Sequence, residues 1–424
     1  MEQLGVLVVL AFRNLRRQIR RTILTASAMI IGGAMLMLSL SLGDGTHEEW
    51  IDSGVRMGSG HVTIESPEFR LSRKIDDRLS AEARAGAERA LAAPGTAELI
   101  TAVSAKLVVQ GLASSPAGGR PAQIMGVDPA TEPAFAVIDD QTVEGRYLEP
   151  GDRLAAYVGR GLAEALDLRL DSRLVLTAQD VHKEIAGQLV RVVGIYRSGV
   201  PEIDQSLIHV PLATAGEWLG SGEDLTSIGV LVADSAAVPG LVRTLRAEMA
   251  GPIADGSATV MGWREAMPAL DAAVAIDDFG NYLIYGILFV IIGFGIVNTV
   301  LMSVLHRHRE FGVLQALGLT PGQTGTVVLF EGLALTAVSA VAGIALGAFL
   351  TWYFFGDGLD FSAFMDNEMT FSGVVIDPVI IPMFRVSRFV QSIAFILGVG
   401  ALASVYPALR AARIDVTESM KFDR

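Results

Sequence analysis

The sequence predicts a polytopic α-helical membrane protein with four transmembrane helices and a large α+β extracytoplasmic domain inserted between the first and second. Three observations carry that prediction. Of 424 residues, 51% are apolar and only 19% charged, with a mean hydropathy of +0.45, too apolar for a soluble chain of this length. Four stretches reach the roughly 20 apolar residues needed to cross hydrocarbon, where every backbone N–H and C=O must be bonded within the segment. A long segment of mixed helix and strand pattern separates the first stretch from the second.

In residues 1–21, Leu4, Val8, Phe12, Leu15 and Ile19 recur at three to four residues, with arginines on the remaining face. This predicts an amphipathic helix on the inner membrane surface, or equally an extension of the first span. The first span, 22–43, is uncharged from Thr22 to Leu42. It is longer than a signal-peptide core and no A-x-A site follows, so it reads as an uncleaved helix. The second span, 279–305, carries its apolar run from Tyr282 to Leu305. Residues 306–323 form a charged connection to the third span, 324–355, whose one acid, Glu331, lies near its start, within reach of Arg307 or Arg309. A loop, 356–388, leads to the fourth span, 389–407, and a tail, 408–424.

Basic residues orient these spans. Arg13, Arg16, Arg17, Arg20 and Arg21, then Arg307 and Arg309, then Arg410, Arg413, Lys421 and Arg424 mark three cytoplasmic segments. From Gly356 to Ser387 the connecting loop holds one arginine, Arg385, against five acids, and faces out. Both termini are therefore expected inside and residues 44–278 outside. That domain has 35 Asp and Glu against 20 Lys and Arg, so the chain's charge of −13 originates there. Its acidity reads as solubility, or less directly as a docking surface for a basic partner.

Within 44–278, "GHVTIES" (60–66), "ITAVSAKLVVQG" (100–111), "TSIGVLVAD" (226–234) and "SATVMGW" (257–263) read as strands. Residues 81–93 and 238–250 read as helices. Two β-α-β units at about 58–127 and 223–264 thus flank an insertion, the order of a split ferredoxin-like domain. The insertion, 128–222, with a short helix in "GRGLAEALDL" and strands in "RLVLTA", "QLVRVVGIY" and "SLIHVPL", predicts a small β-rich lobe. Proline is absent from Met1 to Ser66 and from Ala269 to Thr320, so the stretches joining spans to domain can be stiff.

No cysteine is present, which excludes disulfides, thiolate metal sites and a cysteine nucleophile. No Gly-Lys dipeptide occurs, so this chain lacks the phosphate-cradling loop of an ATPase. The six histidines form no metal-ligand set; His306 and His308 beside arginines read as inner-face positive charge. We identify no catalytic residues and no basic patch for nucleic acid. Ala28-x-x-x-Gly32 and Gly343-x-x-x-Gly347 present small residues for close helix packing, within the chain or across a dimer. Met29, Met35 and Met37 offer a pliable apolar wall to a lipophilic cargo, or simply lipid-facing filler.

Between the second and third spans, Phe311, Leu314 and Leu317 recur at three-residue spacing after Arg307 and Arg309, and Gly318 and Pro321 supply a stop. A helix of about three turns is too short to cross. It fits either a partner's groove or the bilayer surface.

"HREFGVLQALGLTPGQ" resembles the R-E-[IF]-[GA]-[IV]-L-x-A-[LM]-G segment of FtsX-like, MacB-like permeases, and "YPALRAARIDVTESMK" (Tyr406 to Lys421) is similar to their closing motif, with Val416 where proline is usual. "FEGLALTAVSAVAGIALGAFL" is similar to their third span, and the external domain resembles more loosely that of the lipoprotein-releasing (LolC/LolE-like) branch. The resemblance implies a bacterial inner-membrane ABC transporter in which two permease chains, identical or similar, work with a separate pair of ATPases that bind ATP and Mg. It implies that His306 to Leu319 is the coupling helix, with Arg307, Arg309, Glu310, Phe311, Leu314, Leu317 and Gly318 at the ATPase, and Tyr406, Pro407, Arg410 and Arg413 in the tail motif. On that reading aspartate at Phe311 or Leu314 leaves an inserted but uncoupled chain. The implied mechanism is mechanotransmission, moving lipoprotein or other lipophilic cargo from the outer leaflet. Efflux with a periplasmic adaptor, control of cell-wall hydrolases, and a non-ATP membrane receptor are the rival readings.

Overall fold

The computed structural model describes residues 19–360, 370–371, 374–375 and 379–414. The amphipathic helix expected over 1–21 and the tail beyond Ile414 fall almost entirely outside the described residues. In chain order the main elements are helix α1 (Ile19–Met57), β1 (Val62–Glu65), α2 (Pro67–Ser72), α3 (Ala81–Ala92), β2 (Ile100–Ser115), β3 (Gly118–Val127), β4 (Thr142–Gly145), β5 (Ala155–Gly159), α4 (Arg160–Ala165), β6 (Arg173–Gln179), β7 (Ile185–Tyr196), β8 (Leu207–Pro211), α5 (Leu212–Leu219), β9 (Ser227–Val232), α6 (Val238–Glu248), β10 (Thr259–Gly262), α7 (Pro268–His306), α8 (His308–Ala316), α9 (Pro321–Phe355) and α10 (Val386–Ala412). They group into two compact units, one of Met1–His47, Ile276–Phe361 and Pro378–Arg424, the other of Glu48–Ala275 with Ser362–Asp377.

The first unit is the helix bundle. Helices α1, α7, α9 and α10 are each long and apolar enough to span a membrane. α7 leaves Phe279, Leu283, Ile287, Val290, Ile291 and Phe294 exposed, as a lipid-facing surface requires. The inward stripe is a core of Met29, Leu36, Met37, Ile292, Ile296, Ile344 and Ile396. Two helices outrun their expected limits. α1 continues past residue 43 to Met57 and α7 begins at Pro268, because no proline interrupts either stretch and proline at the first position of α7 needs no N–H partner. α9 starts on a capping box: the Thr320 hydroxyl accepts from the Gln323 N–H, and the Gln323 side chain accepts from the Thr320 N–H at 2.8 Å. α10 runs through Pro407 to Ala412, past the expected end at 407, leaving the Ala403 carbonyl without its intrahelical donor.

The second unit is built on a ten-stranded sheet. Strands β10-β1-β9-β2 are antiparallel neighbours in that order, with α3 and α6 as the connecting helices, which is the ferredoxin-like arrangement with its second and third strands split by an insertion. Alternation sets the faces: Val62 and Ile64 join Ala83, Ala87, Leu241 and Leu245 in one core, while Thr63 and Glu65 face away. The inserted part is not a separate sheet. The 16-residue β2 pairs with β9 along its first half and with β6 in its second, while β3 pairs with it from Lys106 to Ser115. The pairings β2-β3-β8-β5-β7-β6-β2 close a six-stranded ring around Leu107, Ile124, Val158, Leu174, Leu176 and Val192, and closure removes the edges that would otherwise need protection.

A smaller aromatic core lies beside this ring. The Tyr157 and Tyr196 rings lie 5.0 Å apart at a 30° tilt, Tyr157 meets Tyr147 edge-on at 4.9 Å, and the Tyr147 hydroxyl and His209 Nδ1 share a 3.1 Å hydrogen bond. Burial lowers the His209 pKa to about 4 from an ordinary 6.5, against the opposing pull of Glu132, so the imidazole is neutral in the fold. The unfolded chain therefore binds the extra proton between these values. Stability is full above pH 6.5 and falls as pH drops towards 4, by on the order of 3 kcal/mol. Chemical denaturation between pH 7 and 4 checks this, and His209→Gln is expected to flatten the curve.

Candidate functional site

The Arg307-to-Leu319 segment turns between α7 and α9, and its geometry is set by one buried cation. Arg307 is only 9% exposed. Its Nη1 lies 2.9 Å from Glu331 Oε2 on α9, its Nε 2.9 Å from Glu310 Oε2 on α8, and its guanidinium 4.9 Å from the Phe311 ring centroid. Ser303 on α7 donates to the other Glu331 oxygen at 3.3 Å. The acid of the third span thus ties three helices together. Gln315 adds a 3.4 Å bond from α8 to Thr324 at the start of α9. α8 is pinned to the bundle at both of its ends.

The apolar residues of α8 divide into two groups. Phe311 is 1% exposed and belongs to the bundle core with Val304, Val328, Ala408 and Ala411; Leu314 packs against the same core. Phe311 is thus taken up by the bundle and Leu314 is half-buried against it, where both were expected at the partner. The reason is that a three-residue spacing defines a stripe without saying what covers it, and here α9 and α10 do. Leu317 is 78% and Val313 45% exposed, four residues apart and so on one face. Arg309 and Glu310 are exposed beside them. Gly318 closes the segment at φ +107°, a conformation open to glycine, with its N–H donating to Gln315.

The small-residue motifs separate in the same way. A Cβ on Gly343 would lie 2.7 Å from the Ile30 carbonyl oxygen, and one on Gly347 2.6 Å from that of Ala34, so the α1 and α9 backbones are in direct contact within the chain. The partners on α1 are Gly33 and Ala34, not Ala28 and Gly32. Ala28 is exposed, and a Cβ on Gly32 would meet Ile292 of α7 at 3.2 Å. Met29 and Met37 are buried in the bundle at 1% and 0%, whereas Met35 is 59% exposed. In the tail motif Pro407 is buried within α10, while Tyr406, Arg410 and Arg413 are exposed. Among the described residues no group of three His, Asp or Glu could hold a metal.

Charges at the other end of α7's apolar run had no signal in the sequence. Arg388 of α10 donates to Asp44 of α1 in a bidentate pair, Nε to Oδ2 at 2.8 Å and Nη2 to Oδ1 at 2.5 Å. His47 lies 2.7 Å from Asp277 of α7. Asp44, His47 and Arg388 rim a cavity of about 370 Å³ whose walls include Leu36, Leu40, Tyr285 and Phe395. Partners 344 residues apart leave no local pattern; only burial of Asp44, an acid directly after an apolar run, could have hinted at one.

Residues 22–248 match the MacB-like periplasmic core domain and residues 282–416 the FtsX-like permease C-terminal domain. The chain is 23% identical to the lipoprotein-releasing system transmembrane protein LolC of Neisseria meningitidis serogroup B over 72% of this chain and 74% of that one. It is 26% identical to the uncharacterized ABC transporter permease YknZ of Bacillus subtilis over 56% of each. It is 23% identical to the macrolide export ATP-binding/permease protein MacB of Bdellovibrio bacteriovorus over 71% of this chain and 44% of that one. Four spanning helices, the α+β domain between the first two and these two matches together make the chain a member of the FtsX-like and MacB-like family, an ABC transporter permease of the LolC/MacB/FtsX type.

Proposed function

We propose that this permease works by mechanotransmission with a separate pair of ATPase subunits and a second permease chain, moving lipoprotein or another lipophilic cargo out of the outer leaflet of the bacterial inner membrane. The observation that carries the reading is α8: a short helix locked to α7 and α9 through Arg307 and Glu331, with Leu317 and Val313 exposed on one face. A helix held this firmly passes a push to its neighbours instead of absorbing it in a loop. In the proposal α8 faces the cytoplasm, both termini lie inside, and the α+β domain is periplasmic, as the basic segments suggest. ATP and Mg²⁺ would bind in the partner.

The lipophilic cargo is supported by the likeness to lipoprotein-releasing proteins and by the amphipathic recess of Leu36, Leu40, Tyr285 and Phe395 under a charged rim. The test is to purify the tagged full chain in mild detergent and identify what accompanies it by mass spectrometry. An ATPase subunit together with acylated lipoprotein is the expected result. An adaptor protein in place of lipoprotein would redirect the cargo assignment to efflux, and the absence of any ATPase would leave only the receptor reading.

A further inference from the structure

The α+β unit contains a polar cleft of about 350 Å³ that the proposed transport cycle does not use. It lies on the face of the ferredoxin-like sheet turned away from α3 and α6. Alternation places Thr63 and Glu65 of β1 and Lys106 of β2 there, and all three are at most 4% exposed. A solvated sheet face needs no such burial, so each charge in the cleft has to be accounted for.

Two of the four charges are satisfied. Lys106 Nζ donates to the Gly58 carbonyl at 3.0 Å, lies 3.5 Å from Glu132 Oε1 and sits 4.3 Å from the Phe135 ring centroid. Arg70 donates to the carbonyls of Glu265 and Ala266. Glu65 and Arg73 are less completely matched. Glu65 Oε1 is buried and accepts no hydrogen bond, and its ion pair to Arg70 Nη1 is long, at 3.6 Å. Burial pushes the Glu65 carboxyl above the usual range, against the pull of Arg73 and Arg70. Arg73 is exposed at the cleft, its guanidinium 5.5 Å from the Phe69 ring centroid, and among the described residues no carboxylate is within ion-pair distance of it. It also stands at φ +53° at the end of α2, a left-handed position that glycine fills at least cost. The backbone thus gives no reason for arginine here.

We propose that this cleft binds a small zwitterion, whose protonated amine donates to Glu65 and whose carboxylate or phosphate is held by Arg73. A plain anion would set a second negative group beside Glu65. A plain cation would join Arg70, Arg73 and Lys106 and leave Arg73 unmatched. Only a ligand with both charges completes the two groups the fold leaves incomplete. The same chemistry is present in a peptide or amino acid and in an ethanolamine phosphate headgroup.

Calorimetric titration of the detergent-solubilised full chain tests this with glycylglycine and O-phosphoethanolamine as probes, and with ethylamine and acetate as single-charge controls. Saturable binding of at least one zwitterion, and of neither control, is expected; which zwitterion binds identifies the source. Arg73→Gly and Glu65→Gln should each weaken binding by about tenfold or more. Arg73→Gly should melt no lower than the parent, because glycine suits that backbone, so loss of binding there cannot be ascribed to misfolding. The proposal is overturned if neither zwitterion binds up to about 10 mM, a threshold near the weakest useful affinity. Binding that survives both substitutions overturns it equally.

Discussion

Leu317→Asp is expected to leave the chain folded and inserted but to abolish stimulation of its ATPase, whereas Phe311→Asp should damage the bundle itself. Leu317 is 78% exposed, so the isolated chain loses no packing when it is replaced. If a partner covers it together with Val313, the complex gains about 1.5–3 kcal/mol from burying a leucine, and a carboxylate in its place must also be stripped of water. The sum corresponds to a loss of roughly 100-fold or more in affinity. Phe311 lies under α8 against the Arg307 guanidinium, and an aspartate there would be buried and would compete with Glu310 and Glu331 for that one cation. The measurements are melting temperature and co-purified ATPase activity for both variants. Wild-type stimulation by Leu317→Asp would mean that α8 seats no motor subunit through this face.

The comparison of these two positions shows what the sequence could and could not disclose. Periodicity located α8, and the lone acid in the third span pointed to Arg307 or Arg309, because both signals are local or involve rare residues in an apolar context. The direction of each α8 side chain depended on how α9 and α10 pack, which no local pattern encodes. The same limit applies elsewhere. The ferredoxin-like halves were legible from alternating strands and capped helices, but the closed ring rests on pairings such as Leu112 with Thr177 and Tyr157 with His209, which join segments far apart in the chain. β5 (Ala155–Gly159) had no alternation to reveal it, because all five of its residues are buried. Gly343 and Gly347 were legible as small packing residues, but their partners on α1, Ile30, Gly33 and Ala34, were not, because spacing names a face without naming what it meets.

Lys106→Ala is expected to destabilise the α+β domain by about 3–5 kcal/mol, the loss seen when one member of a buried ion pair is removed. Lys106 and Glu132 are 4% and 1% exposed, and the Ser104 hydroxyl donates to the second Glu132 oxygen, so the carboxylate has a hydrogen bond but only one counter-charge in contact. Removing the lysine also takes the donor from the Gly58 carbonyl and the cation from the Phe135 ring, leaving several polar groups unmatched at once. For a domain of this size the effect is a fall of roughly 10 °C in its melting transition. Lys106→Met with Glu132→Gln separates the two possible origins of the loss. If the damage comes from the stranded carboxylate, the double variant, which buries no charge, recovers most of the stability. If it comes from the missing contacts to Gly58 and Phe135, the double variant melts as low as the single one. Recovery is the expected outcome, since desolvating an unpaired carboxylate exceeds the net worth of one hydrogen bond and one cation–ring contact. A single variant that melts within about 1 °C of the parent would show that water reaches Glu132 and that the pair is not buried in solution.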